Sequence, residues 1–206
     1  MIKNIVFDIG NVILKFDIKD VLNRYTSDKE EQKFILDNII NSPEWLRYGL
    51  IDTGYISREN AIAIVQDRTN HKKDKLIENF WNTYNDYAKI DDRILELIKK
   101  LKTNNYKIYL LSNINPYTHE LVSKSNLLEM VDGYVFSYQE HMIKPYVGIY
   151  NTLINRYSLL PAETLFIDDN QKNVDTGKEL GIISKKVEPD NYQSVIDLVN
   201  EMNLIW

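Results

Sequence analysis

Four short apolar runs constrain this chain most: Lys3–Phe7, Lys107–Leu111, Gly133–Phe136 and Thr164–Ile167. Each is rich in Ile, Val, Leu or aromatic residues and short enough for a strand. Gly181–Val187 is a weaker fifth. Their nearly continuous apolar character points to parallel strands covered on both faces. Helical patterns lie between them. Asp91–Thr103 carries Ile94, Leu95, Leu97, Ile98 and Leu101 at helical spacing, with lysines on the other face and in the last turn. Asn115-Pro116 reads as the N-cap and first position of a helix running to about Ser125. Val147–Tyr157, Gln171–Leu180 and Tyr192–Met202 follow, and Gly181 falls where a helix C′ glycine belongs.

Between the first strand and this alternation, residues 18–88 hold helical patterns only: Ile18–Tyr25, Lys29–Ile40, Pro43–Leu50, Ser57–Arg68 and Lys75–Tyr87. The pattern predicts a doubly wound α/β core with an all-helical insert after its first strand. A length of 206 residues with 44% hydrophobic content suits one large domain, or a domain with an insertion, that buries a sizeable core. The net charge of −5 argues against a nucleic-acid binder. The absence of cysteine excludes disulfides, thiolate zinc sites, iron–sulfur clusters and a cysteine nucleophile. His71, His119 and His141 are scattered, which argues against a histidine-rich metal site. The apolar start is broken by Asn4 and stopped by Asp8, unlike a signal peptide. No apolar run approaches the roughly 18 residues of a membrane span. The expectation is a cytoplasmic protein with no membrane partner.

Ligands of doubly wound sheets bind at the carboxyl ends of the strands. Strand one runs into Asp8-Ile9-Gly10-Asn11-Val12, strand two ends at Ser112-Asn113, and strand four ends at Asp168-Asp169-Asn170 with Asn173 one turn on. Between them lies Ile143-Lys144-Pro145. A carboxylate, a hydroxyl, a lysine and a carboxylate pair therefore converge on one mouth. Each type has a task in phosphoryl transfer. A carboxylate serves as nucleophile, a carboxylate cluster calls for a hard oxygen-seeking cation such as magnesium, and hydroxyl, amide and ammonium donors stabilise the transferring group.

In this order the residues resemble the four motifs of the haloacid-dehalogenase-like hydrolase superfamily. Asp8, Gly10 and Val12 match its first motif, Ser112 its second, Lys144 its third, and Asp168, Asp169 and Asn173 its fourth. The likeness spans almost the whole chain. It implies a Rossmann-like sheet of about five strands formed by residues 1–17 and 89–206, with residues 18–88 as a helical cap. Of the intervals between motifs, only the one from Asp8 to Ser112 has room for such a cap. The strings Phe-Asp-Ile-Gly-Asn-Val-Ile and Gly54-Tyr55-Ile56-Ser57 resemble the subgroup containing a bacterial α-D-glucose-1-phosphate phosphatase.

The resemblance implies a magnesium-dependent phosphatase for a small, sugar-phosphate-type metabolite. Asp8 would be the nucleophile. Mg2+ would lie between Asp8, the carbonyl of Gly10 and Asp169, with Asp168 a ligand or just behind. Lys144, Ser112 and Asn113 would face the phosphoryl oxygens, Asn173 would orient the acidic pair or Lys144, and Trp45 or Tyr48 of the cap would face the substrate. A monomer or weak homodimer is expected. The departure is Gly10, where most family phosphatases carry an Asp as general acid–base. Asp17, Glu44 and Asp52 are candidates to replace it, and His141 is a candidate to reach the site. Two other readings stay open: another reaction of the scaffold, including a phosphonatase using a lysine among Lys33, Lys72, Lys73 and Lys75, or a weakly catalytic binding module.

Overall fold

All five apolar runs become strands of one sheet. The computed structural model describes residues 1–15, 17–42 and 50–205. The strands are β1 (Asn4–Phe7), β2 (Leu14–Lys15), β3 (Lys89–Ile90), β4 (Lys107–Ser112), β5 (Gly133–Phe136), β6 (Thr164–Asp168) and β7 (Ile183–Lys186). A five-stranded parallel sheet has the order β5-β4-β1-β6-β7. The helices are α1 (Ile18–Tyr25), α2 (Lys29–Ile35), α3 (Arg58–Arg68), α4 (Asp74–Thr83), α5 (Asp92–Thr103), α6 (Pro116–Ser123), α7 (Leu127–Met130), α8 (Ser137–Glu140), α9 (Val147–Tyr157), α10 (Gln171–Glu179) and α11 (Tyr192–Glu201). This is the α/β Rossmann-like architecture expected.

Strand alternation sorts the core into two layers. Ile5 and Phe7 of β1 point into a cluster with Ile98 and Leu101 of α5 and Val195 and Val199 of α11. Val6, between them, points into the opposite cluster with Tyr109, Phe166 and Tyr150 of α9. A third, separate cluster lies among the helices that follow β1, built on Val21, Leu22, Ile35, Val65, Ile77 and Phe80. Asp17, Ser57, Asp91 and Asn115 accept hydrogen bonds from the first turns of α1, α3, α5 and α6, contacts worth typically about 1 kcal/mol each. Gly181 takes a φ of 79° directly after the end of α10, as its position suggested.

Three features depart from the pattern. The helix expected over Lys29–Ile40 widens into a π-turn at Leu36–Ile40. The helix expected over Pro43–Leu50 lies outside the described residues except for Leu50, which is in a turn. β2 and β3 form a small antiparallel ribbon, Leu14 opposite Ile90 and Lys15 opposite Lys89, through which the chain enters and leaves the helical segment. Two-residue strands carry no periodicity to read. Among the described residues no helix is long and apolar enough to cross a membrane.

The register positions the mouth. Phe7 pairs with Leu110 on one side and Ile167 on the other, so Asp8 comes level with Asp168, and Ser112 ends β4 one position further on. At the far edge, the Tyr157 hydroxyl accepts from the Tyr134 N–H and donates to the Tyr134 carbonyl, pinning α9 to β5. A Cβ at Gly133 would overlap the Tyr157 ring. Gly133→Ala is therefore expected to cost about 1–3 kcal/mol. Thermal denaturation should show a fall of roughly 2–4 °C for each kcal/mol lost.

Candidate active site

Asp8 leaves the end of β1 with one oxygen fully engaged. Its Oδ1 accepts from the Ile9 N–H at 2.7 Å and from the Ser112 hydroxyl at 2.7 Å, and lies 2.8 Å from the Lys144 ammonium. No described residue donates to Oδ2. Lys144 is buried and bridges two carboxylates, with Asp168 Oδ2 at 2.6 Å. Asp168 is fully buried at the end of β6. Its Oδ1 takes the Asn170 N–H at 2.8 Å, and the Asn173 amide donates to both of its oxygens at 3.0 and 3.1 Å. Asp169 stands beside it, half-buried, accepting from the Asn11 amide at 3.0 Å.

Asp8, Asp168 and Asp169 each present a carboxylate oxygen within 4.8 Å of the others. Three carboxylates face one ammonium, a formal excess of two negative charges in a desolvated site. All-oxygen donors with that excess fit a hard divalent cation. Burial pushes the Asp8 carboxyl up to about 7, opposed by Lys144 and reinforced by Asp168. Burial likewise raises Asp169, against the hydrogen bond from Asn11. Burial works to lower Lys144, but the pull of Asp168 and Asp8 outweighs it, and the ammonium is held above the ordinary lysine value. A bound cation would favour the ionised carboxylates.

A family model described as haloacid dehalogenase-like hydrolase matches residues 2–181. The chain belongs to that family. It is 29% identical over 204 residues to the D-ribitol-5-phosphate phosphatase of Bacteroides thetaiotaomicron, covering 93% of each chain. It is 25% identical to a sesquiterpene phosphatase of Aspergillus oryzae over 88% of this chain and 87% of the other. Its fold matches a solved HAD family enzyme of Bacteroides thetaiotaomicron, crystallised with magnesium and inorganic phosphate, with a TM-score of 0.71 and 25% identity over 95% of this chain and 99% of that one.

Within this haloacid dehalogenase-like hydrolase, Asp8, Ser112, Lys144, Asp168, Asp169 and Asn173 come together as their order along the chain suggested. Asn113 differs. Its amide donates to the Lys144 carbonyl at 3.0 Å and its Oδ1 accepts the Lys144 N–H at 2.7 Å. The side chain thus clamps the Lys144 main chain, a partner that the sequence did not suggest. Asp17 is the N-cap of α1. Asp52 Oδ1 accepts from the Asn115 amide at 3.2 Å, and its carbonyl accepts from the Ser137 hydroxyl. His141 does not reach toward Asp8: its Nδ1 bonds the Thr53 carbonyl at 2.7 Å and its ring stacks on Tyr55. Trp45, Tyr48 and Glu44 lie outside the described residues.

Gly10 lies outside the left-handed region, and a Cβ there would meet no atom of the described residues beyond its chain neighbours within 4 Å. The residue that sequence reading passed over is Asn11, which takes a φ of 58° and reaches Asp169. Its signal was an Asn directly after Gly10 at a strand end, a residue type that tolerates left-handed backbone. None of Lys33, Lys72, Lys73 and Lys75 is buried; Lys33 pairs with Asp37, and Lys73 lies over the Phe34 ring. A Schiff-base lysine can be activated by desolvation in an apolar pocket, and none of these four is placed in one.

Lys144→Met leaves Asp8 and Asp168 facing each other without a cation. Breaking a buried pair in this way costs about 3–5 kcal/mol. Urea unfolding of the metal-free protein should show a loss of that size, and a midpoint equal to the unsubstituted chain would contradict the pairing described.

Proposed function

We propose that the chain is a phosphatase that hydrolyses a small phosphorylated metabolite of sugar-phosphate type through an aspartyl-phosphate on Asp8. One observation carries the reading: Asp8 Oδ1 is held by three donors while no described residue donates to Oδ2, beside two further carboxylates. Oδ2 of Asp8 attacks phosphorus, the bond from phosphorus to the substrate oxygen breaks, and the departing oxygen leaves as an alkoxide that takes its proton from water. Water then attacks the aspartyl-phosphate, releasing inorganic phosphate and restoring the carboxylate. Ser112 and Lys144 hold Asp8 in its attacking rotamer, and the Lys144 ammonium offsets charge on the phosphoryl oxygens. Asn113 fixes the main chain of Lys144, and Asn173 fixes Asp168. Mg2+ suits the acidic group: Asp8, Asp169 and the Gly10 carbonyl would hold it, with Asp168 a further ligand or behind them. When bound, it neutralises charge that develops on the phosphoryl group.

The D-ribitol-5-phosphate phosphatase and the magnesium- and phosphate-bound relative support this reading. We take residues 18–88 as the cap over residues 1–17 and 89–206. The helical segment's own apolar cluster supports that division. Asp8→Asn removes the nucleophile and keeps its shape. Turnover of a phosphate ester should fall by about 10⁴-fold or more, chelation should abolish it and Mg2+ restore it. Full activity in chelator, or an active Asn variant, sinks the reading.

Gly10 supplies no acid to the leaving oxygen, so rate should depend steeply on leaving-group pKa. Aryl phosphates should react faster than primary-alcohol phosphates of similar size. Among the described residues nothing stands where a side chain on Gly10 would begin. Gly10→Asp should raise turnover of the poorest leaving groups, within the roughly 10²–10⁴-fold range of general acids, and change aryl esters little. Gly10→Asn is the control for bulk. If the two variants behave alike across the series, another group already protonates the leaving oxygen.

A further inference from the structure

Asn11 stands three residues after Asp8 with a φ of 58°. That conformation is one glycine adopts freely and asparagine tolerates. Its backbone is spoken for. The N–H donates to the Leu14 carbonyl at 2.9 Å, and the carbonyl accepts from the Asp190 N–H at 2.9 Å. A glycine would make both bonds without a side chain. The Asn11 amide does something else: it crosses from the loop after β1 to the loop after β6 and donates to Asp169 Oδ2 at 3.0 Å.

Asp169 differs from its neighbours in how it is held. Asp8 has Ser112, Lys144 and the Ile9 N–H on its carboxylate, and Asp168 has Lys144, Asn170 and Asn173. Asp169 is half-buried, and the Asn11 amide is the side-chain donor it has among the described residues. Without that amide the Asp169 carboxylate is left with the hydrogen bond from its own main-chain N–H and can turn.

We propose that Asn11 is a positioning residue for the divalent cation: its amide locks the Asp169 carboxylate in the rotamer that faces Asp8 and Asp168. The inference rests on the reading of the acidic group as a Mg2+ site. The left-handed backbone at residue 11 makes the geometry. It turns the side chain back over the strand ends, so that a residue on the β1 loop reaches an acid 158 positions later in the chain. Partners that orient metal ligands typically change metal affinity about 10–100-fold when removed.

Asn11→Gly tests this cleanly, because it keeps the backbone conformation and both main-chain bonds and deletes only the amide. The full chain is titrated with MgCl2, following the rise in melting temperature and, independently, the heat of binding. The expected result is a Mg2+ midpoint about 10-fold or more higher than that of the unsubstituted protein, with the metal-free melting temperature within a few degrees. At saturating Mg2+ the phosphatase kcat should return to within a few-fold. Asn105→Gly, at a φ of 65° after α5, reports what glycine does by itself at such a position and should leave the midpoint in place. An unchanged Mg2+ midpoint in Asn11→Gly overturns the proposal while leaving the magnesium reading intact. A loss of metal-free stability with no change in midpoint makes Asn11 a loop residue only and also overturns it. An unsubstituted protein that ignores Mg2+ overturns the magnesium reading and this proposal with it.

Discussion

The ammonium of Lys144, buried between Asp8 and Asp168, is the interaction on which the rest of the mouth depends. Removing three charged groups from water is costly unless geometry and additional hydrogen bonds satisfy them. Here hydrogen bonds meet much of that cost, with Asp8 Oδ2 the exception among the described residues. Asn113 clamps the Lys144 main chain through both its amide and its carbonyl, Asn173 and Asn170 complete Asp168, and Ser112 and the Ile9 N–H complete Asp8 Oδ1. The sheet provides the frame, because pairing of β1 with β6 sets Asp8 level with Asp168. The Tyr150 hydroxyl, in turn, donates to the carbonyl of Asn173 and ties α9 to α10 behind the carboxylates.

The same arrangement leaves charge unbalanced. Two of the three carboxylates exceed what Lys144 neutralises, and burial drives Asp8 toward protonation when no other cation is near. In the reaction proposed above Asp8 must be ionised to attack phosphorus. A cation that balanced the site would be linked to that attack through one field: whatever lowers the Asp8 carboxyl also prepares it.

Two contacts between the helical segment and the core are prominent among the described residues. One is the β2–β3 ribbon. The other is the turn around Asp52 and Thr53, whose main-chain carbonyls are taken by Ser137 and His141, while Arg58 lies over the Tyr117 ring. Gly54 sits so close to the Tyr138 carbonyl that a Cβ there would not fit.

The sequence by itself determined the succession of strands and helices, the helical segment after β1, and the set Asp8, Ser112, Lys144, Asp168 and Asp169. Apolar periodicity, caps such as Asn115 and Asp91, and polar residues closing apolar runs are local properties, written in neighbouring positions. Only the tertiary structure decided where the amides go. Asn113 turns to the main chain of a lysine 31 positions away, Asn11 to an acid 158 positions away, and His141 to a carbonyl 88 positions away. An asparagine or histidine side chain satisfies many partners equally well by composition. Which one it meets is fixed by backbone direction at its own residue and by the strand register that brings the partner within about 3 Å.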